Sequence, residues 1–249
     1  MDKVPINTVI QGNCLKVLKK FPSEIVDLIF ADPPYFGNQK NHTIRRTDGY
    51  ASGRFSTGKA DWAFSKSLEY QFEFTRAWLS ECKRILKTGC TIWITGTYHS
   101  IGVINVVLQD LKYKILNDII LYKKNAPPNF RGSCFRACTE TMLWAKKSSN
   151  GRTKFNYTLM KQLNGGKQMN NVWEYKAIKT PYWHPATKQE IVLERVILAG
   201  SHQGDIVLDP FGGSGTTAAV AKRLGRKWIT IEIDPKYCDM IRDRVNHVK

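Results

Sequence analysis

Residues 206–225 read IVLDPFGGSGTTAAVAKRLG, a short apolar run, a glycine-rich turn and an alanine-rich amphipathic stretch. This is the pattern of a strand that enters a helix through a tight bend. Gly212, Gly213 and Gly215 let the backbone turn sharply and approach a ligand closely, and the first turn of the helix offers unpaired N–H groups. Further on, Glu232 ends the next strand, about where an acid would meet the two hydroxyls of an adenosine ribose. The spacing Gly213-x-Gly215-x-x-Ala218 also fits a dinucleotide fingerprint, so a nicotinamide-type oxidoreductase stays open at this point. Asp209-Pro210-Phe211 weighs against it. An acid before the turn opposes a pyrophosphate and suits a cationic ligand, and the proline and phenylalanine fill space that a dinucleotide loop leaves open.

Outward from this unit the same alternation continues. A helix over 190–199 precedes it and another begins at Pro235. Toward the N-terminus, TVIQG and IVDLIFA read as strands with the short helix CLKVLKKF between them. A helix over 68–87, stopped by Gly89, leads into the strand CTIWITGT, and a helix spans 101–111. KILNDIILYKK and TETMLWAKK form a strand pair around the loop NAPPNFRGSCFRAC. The prediction is a single α/β domain over 1–249 with a mostly parallel sheet ending in an antiparallel hairpin. No internal repeat or interdomain linker interrupts it.

A second chemical signal lies at 27–37, DLIFADPPYFG. The run Leu28-Ile29-Phe30-Ala31 is a buried strand, and successive prolines cannot continue a central ladder. The strand therefore stops at Asp32 and presents Asp32 and Tyr35 from a stiffened bend. The polar, glycine-bearing stretch 38–59 that follows is too long for a simple connector and is expected to be a mobile, functional loop.

Composition narrows the partner. The net charge is +17, and between 146 and 188 nine lysines and arginines face one acid, Glu174, with Phe155, Tyr157, Trp173, Tyr175, Tyr182 and Trp183 interleaved. Neutralising phosphates releases counterions, so such a chain favours nucleic acid, and the insert 148–183 is the expected reading surface. Arg131 and Arg136 are further candidates for phosphate contact. The six cysteines show no zinc-ribbon or redox spacing, so no metal is expected. No window reaches the roughly 18 apolar residues of a membrane span, and the N-terminus lacks a signal-peptide layout, which points to a cytoplasmic protein without a membrane partner.

DPPY (Asp32, Pro33, Pro34, Tyr35) together with DPFGGSGTT closely resembles the amino-methyltransferases of DNA. DPPY ahead of the FxGxG turn (Phe211, Gly213, Gly215) resembles their circularly permuted β class, similar to the methyltransferases of type II restriction systems. KADW, with Trp62 as a packing anchor, RILKTGCTIWI, HPATKQEIVLERVI and KWITIEIDPKYCDMIRDR extend the likeness over most of the chain. Asn13 stands where the family often has an acid, Lys188-Gln189 where it has lysine-proline, and Thr230 replaces a common glycine.

The resemblance implies an S-adenosylmethionine-dependent methyltransferase fold of Rossmann-like type. It implies a cofactor site drawn from Asn13, Cys14, Asp32, His184, Thr187, Lys188, Asp209, Phe211, Gly213, Ser214, Gly215, Thr216, Glu232 and Asp234. It also implies a catalytic Asp32-Pro33-Pro34-Tyr35, in which Asp32 and the carbonyl of Pro33 accept the two N–H bonds of an exocyclic amine and Tyr35 stacks on a base flipped out of duplex DNA. Asp rather than Ser before Pro-Pro-Tyr resembles the adenine-N6 group, with cytosine-N4 as the alternative. An RNA methyltransferase or a binding module without turnover is a more distant reading. A homodimer and a cognate restriction endonuclease are the partners that the family suggests.

Overall fold

The computed structural model describes residues 4–34, 67–130, 132–178, 181–182 and 188–248. The expected mobile loop 38–59, and Tyr35, Trp62, Arg131, Trp183, His184 and Thr187, lie outside the described residues.

The chain runs β1 (Thr8–Gln11), α1 (Cys14–Leu18), β2 (Val26–Ala31), α2 (Leu68–Ile85), β3 (Leu86–Gly96), α3 (Ile101–Asp110), β4 (Lys114–Lys123), β5 (Thr139–Lys146), α4 (Tyr157–Leu163), β6 (Val172–Tyr175), α5 (Glu190–Gly200), β7 (Ile206–Asp209), α6 (Thr216–Arg223), β8 (Lys227–Glu232) and α7 (Pro235–Asn246). These strands form one eight-stranded sheet in the order β1-β8-β7-β2-β3-β5-β4-β6. Every neighbouring pair is parallel except the two that β5 makes. Beyond the expected hairpin, the insert contributes β6, which adds a parallel edge strand to β4.

Strand alternation divides the core into two halves. Ile29 and Ala31 of β2 face α1, α2 and α3 through Leu18, Trp78, Leu79 and Ile104. Leu28 and Phe30 face the other way, toward α5, α6 and α7 through Leu193, Ile197, Val220 and Ile241. The six residues of β2 are all buried, as a central strand covered by helices on both faces requires.

The topology then locates a crevice. From β2 the chain crosses through α2 to β3 in one direction, whereas from β7 it crosses through α6 to β8 in the other. Because α2 and α6 cover opposite faces, the carboxyl ends of the neighbouring strands β2 and β7 open into the gap between them. Asp32 follows one strand and the glycine turn follows the other.

Two expectations are revised. Gly89 does not stop α2, which ends at Ile85 and passes directly into β3. It lies inside the strand with φ +80°, and a Cβ there would stand 2.6 Å from the Arg152 carbonyl oxygen, so glycine lets a distant turn pack against the strand. The basic, aromatic insert is also not one surface. Trp173 is buried with Arg195 over its ring, and Phe155 packs on Trp144. Lys154 pairs with Asp27 and Asp205, and Lys147, just before the insert, pairs with Glu24. These lysines belong to the end of the sheet where β2 starts, about 17 Å of strand from Asp32 at roughly 3.3 Å per residue. Aromatic residues in alternation with bases cannot by themselves distinguish a core edge from a nucleic-acid face.

Asp27 shows what that end of the sheet does. Its buried carboxylate accepts from Lys87 Nζ (2.9 Å), Lys154 Nζ (3.1 Å) and the Ile206 N–H (3.0 Å), tying β2, β3, β7 and the insert together. Burial alone would raise its pKa, but these donors outweigh burial and hold it below the ordinary 3.8. A depressed folded-state value stabilises the fold above the unfolded-state pKa, and that contribution is lost as pH falls through the folded value. Asp27→Asn is expected to cost on the order of 1–3 kcal/mol at neutral pH, since it removes the carboxylate partner of Lys87 and one of the two carboxylates that hold Lys154, with Asp205 remaining. In urea melts the gap between variant and parent should close as the pH drops below about 4.

Candidate active site

The cofactor side is built by three strand ends that meet at Glu232. Gly12, just after β1, donates its N–H to the Glu232 carbonyl (2.8 Å), and Gly213, just after β7, donates to Glu232 Oε2 (2.8 Å). Glu232 Oε1 accepts from Ile233 and Asp234 N–H. A carboxylate has about four acceptor positions, so three bonds fix its direction and leave room for one ligand donor. Gly212 is required beside it: a Cβ there would stand 2.3 Å from Thr230 Cγ2, the methyl of the residue that replaces a common glycine. Gly215, at φ +74°, begins α6. The Phe211 ring lies edge-on to Trp78 at 5.3 Å between centroids, so the turn is seated on α2.

Several expected contacts have other work. The carboxylate of Asp209, the acid before the turn, accepts the Phe211 N–H (2.9 Å) and the Thr217 hydroxyl (2.6 Å) and is buried. It locks the turn from inside. Asn13 spends its side-chain oxygen on the N–H groups of Leu15 and Lys16, capping α1. Asp234 caps α7 through Lys236 N–H. Cys14 is packed in the core, and burial pushes its thiol up to about 11. For Asn13, Asp209 and Asp234 the side-chain oxygen accepts a nearby backbone N–H, a use that a sequence pattern does not separate from ligand binding.

Ser214 and Thr216 are buried and held by a residue that the sequence motif leaves out. Arg244 of α7 donates through Nη1 to the Ser214 carbonyl (3.1 Å) and the Thr216 hydroxyl (2.9 Å), and through Nη2 to Glu190 Oε1 (2.7 Å). Its side chain is only 4% exposed, and its guanidinium lies over the Tyr182 ring at 5.2 Å. Arg244 closes the stretch KWITIEIDPKYCDMIRDR, but nothing in that stretch sets it apart from Arg242, and the packing is what identifies it.

The Asp32-Pro33-Pro34 bend lies across the crevice. Pro33 is buried and Pro34 half-buried, which holds the bend. The Asp32 side chain, 10% exposed, accepts from the Thr95 hydroxyl (2.7 Å) at Oδ1 and from Lys188 Nζ (2.8 Å) at Oδ2. Lys188 also meets Glu140 Oε1 at 2.9 Å. Burial would lower the pKa of Lys188, but the two carboxylates outweigh it and raise the value, so the side chain is an ammonium ion. Its backbone carbonyl accepts from Thr216 Oγ1 (3.2 Å), joining this cluster to the cofactor turn.

The crevice is acidic. Burial, with the charges of Asp32 and Glu232 adding to it, pushes Asp209 up to about 7 despite its two hydrogen bonds, and burial raises Glu232 as well. Such a lining fits a ligand that brings ribose hydroxyls and a positive sulfonium, and fits a pyrophosphate poorly. Gly213 and Glu232, with the acidic crevice around them, are the groups that suit S-adenosylmethionine.

Comparison with known proteins agrees. The N6/N4 family model described as DNA methylase matches residues 26–243. The chain is 42% identical over 254 residues to the type II methyltransferase M.HinfI of Haemophilus influenzae, covering 98% of this chain and 69% of that protein. It is 42% identical over 241 residues to the type II methyltransferase M2.DpnII of Streptococcus pneumoniae, covering 95% and 88%. Among solved structures, M1.HpyAVI in complex with S-adenosylmethionine superposes with a TM-score of 0.70 at 22% identity over 96% of this chain and 98% of that one. The cytosine-N4-specific PvuII DNA methyltransferase superposes with 0.74 at 21% identity over 97% and 87%. These two structures carry the fold, and the sequence relatives and the family model carry the rest. The chain belongs to the N6/N4 DNA methylase family and is an S-adenosylmethionine-dependent DNA methyltransferase.

Proposed function

We propose that this chain methylates the N6 amine of adenine within a specific site in duplex DNA, as the modifying half of a restriction system. The observation that carries the reading is the placement of Asp32, braced by Thr95 and Lys188, directly across the β2–β7 crevice from the glycine turn. Asp rather than Ser before Pro-Pro favours adenine over cytosine N4, and the type II relatives favour a restriction setting. A cytoplasmic location, a cognate endonuclease and a homodimeric state complete the reading on family resemblance alone. Among the described residues no helix is long and apolar enough to cross a membrane.

S-adenosylmethionine, when bound, supplies an electrophilic methyl group on a sulfonium. The protein's task is to make a poor nucleophile usable. The lone pair of an exocyclic amine is delocalised into the ring, and an amine paired inside a duplex is out of reach, so the base must leave the stack. Asp32 accepts one amine N–H and the Pro33 carbonyl accepts the other, which orients the nitrogen and favours the positive charge that develops on it. Tyr35, next in the motif, supplies a stacking face, and base–aromatic stacking of about 1–3 kcal/mol offsets much of the unstacking cost.

The test is label transfer from radiolabelled cofactor to duplex DNA, with sequencing that maps modified bases in DNA from cells expressing the protein. N6-methyladenine at one short motif is the expected result. N4-methylcytosine would move the chain to the other branch of its family, label in RNA alone would overturn the DNA substrate, and no label in any nucleic acid would leave only a binding role.

A further inference from the structure

Asp32 does not stand alone, and the group behind its partner lies outside the DPPY motif. Lys188 Nζ is shared between Asp32 Oδ2 at 2.8 Å and Glu140 Oε1 at 2.9 Å. The three side chains come from different parts of the fold: Asp32 follows β2, Glu140 is the second residue of β5, and Lys188 precedes α5. β5 runs antiparallel to β3, so its first residues reach the carboxyl edge of the sheet, where Thr141 pairs with Gly96. All three side chains are largely buried, with 10%, 18% and 11% exposure for Asp32, Glu140 and Lys188.

A buried ammonium paired with one carboxylate would neutralise it. An acid that must accept an amine N–H and favour a cation would then be a poor acceptor, because its charge would already be spent on the lysine. A second carboxylate changes this. Among the described residues, two acids and one ammonium leave the cluster with one net negative charge, and the lysine is held by both acids. Lys188 and Thr95 then fix both Asp32 oxygens in direction.

We propose that Glu140 is a positioning residue for the methyl-transfer site: by holding Lys188, it keeps Asp32 oriented yet still anionic enough to accept the target amine. This rests on the reading of Asp32 given above. It assigns to β5 a part in the chemistry beyond the hairpin.

Glu140→Gln is nearly isosteric and retains an oxygen for the ammonium, so the fold should survive, with a melting temperature within a few degrees of the parent. The expected result is a kcat lower by at least tenfold with KM for duplex DNA within about twofold. Calorimetry gives a readout independent of turnover. Removing one negative charge should lower the preference for the sulfonium cofactor over its uncharged thioether product, S-adenosylhomocysteine, by at least threefold. A third arm uses Lys188→Met. If Glu140 acts through Lys188, adding Glu140→Gln to that variant should cost no further activity, because the net charge of the cluster returns to that of the parent. Multiplying losses in the double variant, or full kcat and unchanged cofactor preference in Glu140→Gln, would overturn the proposal. Asp32→Ala, run alongside, separates the two ideas: activity retained there defeats the Asp32 mechanism itself, whereas a dead Asp32→Ala beside a fully active Glu140→Gln defeats only the role of Glu140.

Discussion

Replacing Asp32 by alanine should lower kcat by about 10²- to 10³-fold or more, the loss seen when a preorganised group facing developing charge is removed, while duplex DNA still binds within a few fold of the parent. The reasoning follows from what Asp32 can and cannot do. It is not placed to contribute much to affinity: its carboxylate is largely enclosed and already anchored by Thr95 and Lys188, so the resting state gains little from a substrate contact there. Its value lies in the transition state, where the amine nitrogen acquires positive charge and an ionised acceptor at hydrogen-bond distance stabilises it. An interaction made only in the transition state lowers kcat and kcat/KM together when removed. Asp32→Asn sharpens the point. The amide retains the shape and one acceptor oxygen but carries no charge, and it leaves Lys188 with Glu140 as its carboxylate partner. If orientation alone mattered, the asparagine variant would recover much of the rate lost in the alanine variant. If charge dominates, as the acidic cluster suggests, both should fall to within about tenfold of each other. Single-turnover label transfer at saturating DNA distinguishes the cases, and filter binding with unlabelled duplex checks that affinity has not changed.

The sequence disclosed the parts of this site that backbone chemistry dictates and missed those that tertiary packing creates. The glycine turn was legible because few residue types tolerate φ values such as +52° at Gly213 and +74° at Gly215, and because a strand must precede such a turn and a helix must follow it. The β2 bend was legible because two prolines cannot sit in a central ladder. By contrast, Asn13, Asp209 and Asp234 carry side chains that suit a ligand and a cap equally well, and in each the local N–H groups hold the oxygen. Arg244 and Glu140 were missed for the opposite reason. They lie 28 and 48 residues in chain order from their nearest described partners in the site, Thr216 and Lys188. No local period or motif links them. Within the insert, composition does not show which aromatic residues are internal: Trp173 fills the core, whereas Tyr157 is exposed. Burial, not composition, separates those uses.

Arg244→Leu is the second large expected loss, and it falls on stability and cofactor affinity together. The guanidinium is buried and planar, and its fork reaches three acceptors that no other arrangement of one side chain would serve: the Ser214 carbonyl, the Thr216 hydroxyl and Glu190. Leucine fills part of the volume but leaves the carbonyl and hydroxyl without that donor, at a cost of about 2–4 kcal/mol, below the full range for breaking a buried pair because Glu190 is 43% exposed and regains water. For a chain of this size each kcal/mol moves Tm by roughly 2–4 °C, so a drop of about 5–15 °C is expected by calorimetry. The same bonds hold Ser214 and Thr216 in the turn that carries Gly213, and Gly213 is aligned on Glu232. Loosening them should weaken S-adenosylmethionine binding by about tenfold or more, since ordering the turn must then be done at the moment of binding. Arg244→Lys tests the geometry separately from the charge. An ammonium on a flexible stem keeps the charge beside Glu190 but cannot span carbonyl, hydroxyl and carboxylate in one plane, so it should recover part of the stability and less of the cofactor affinity. Equal recovery of both would mean that the charge, rather than the fork, holds the turn.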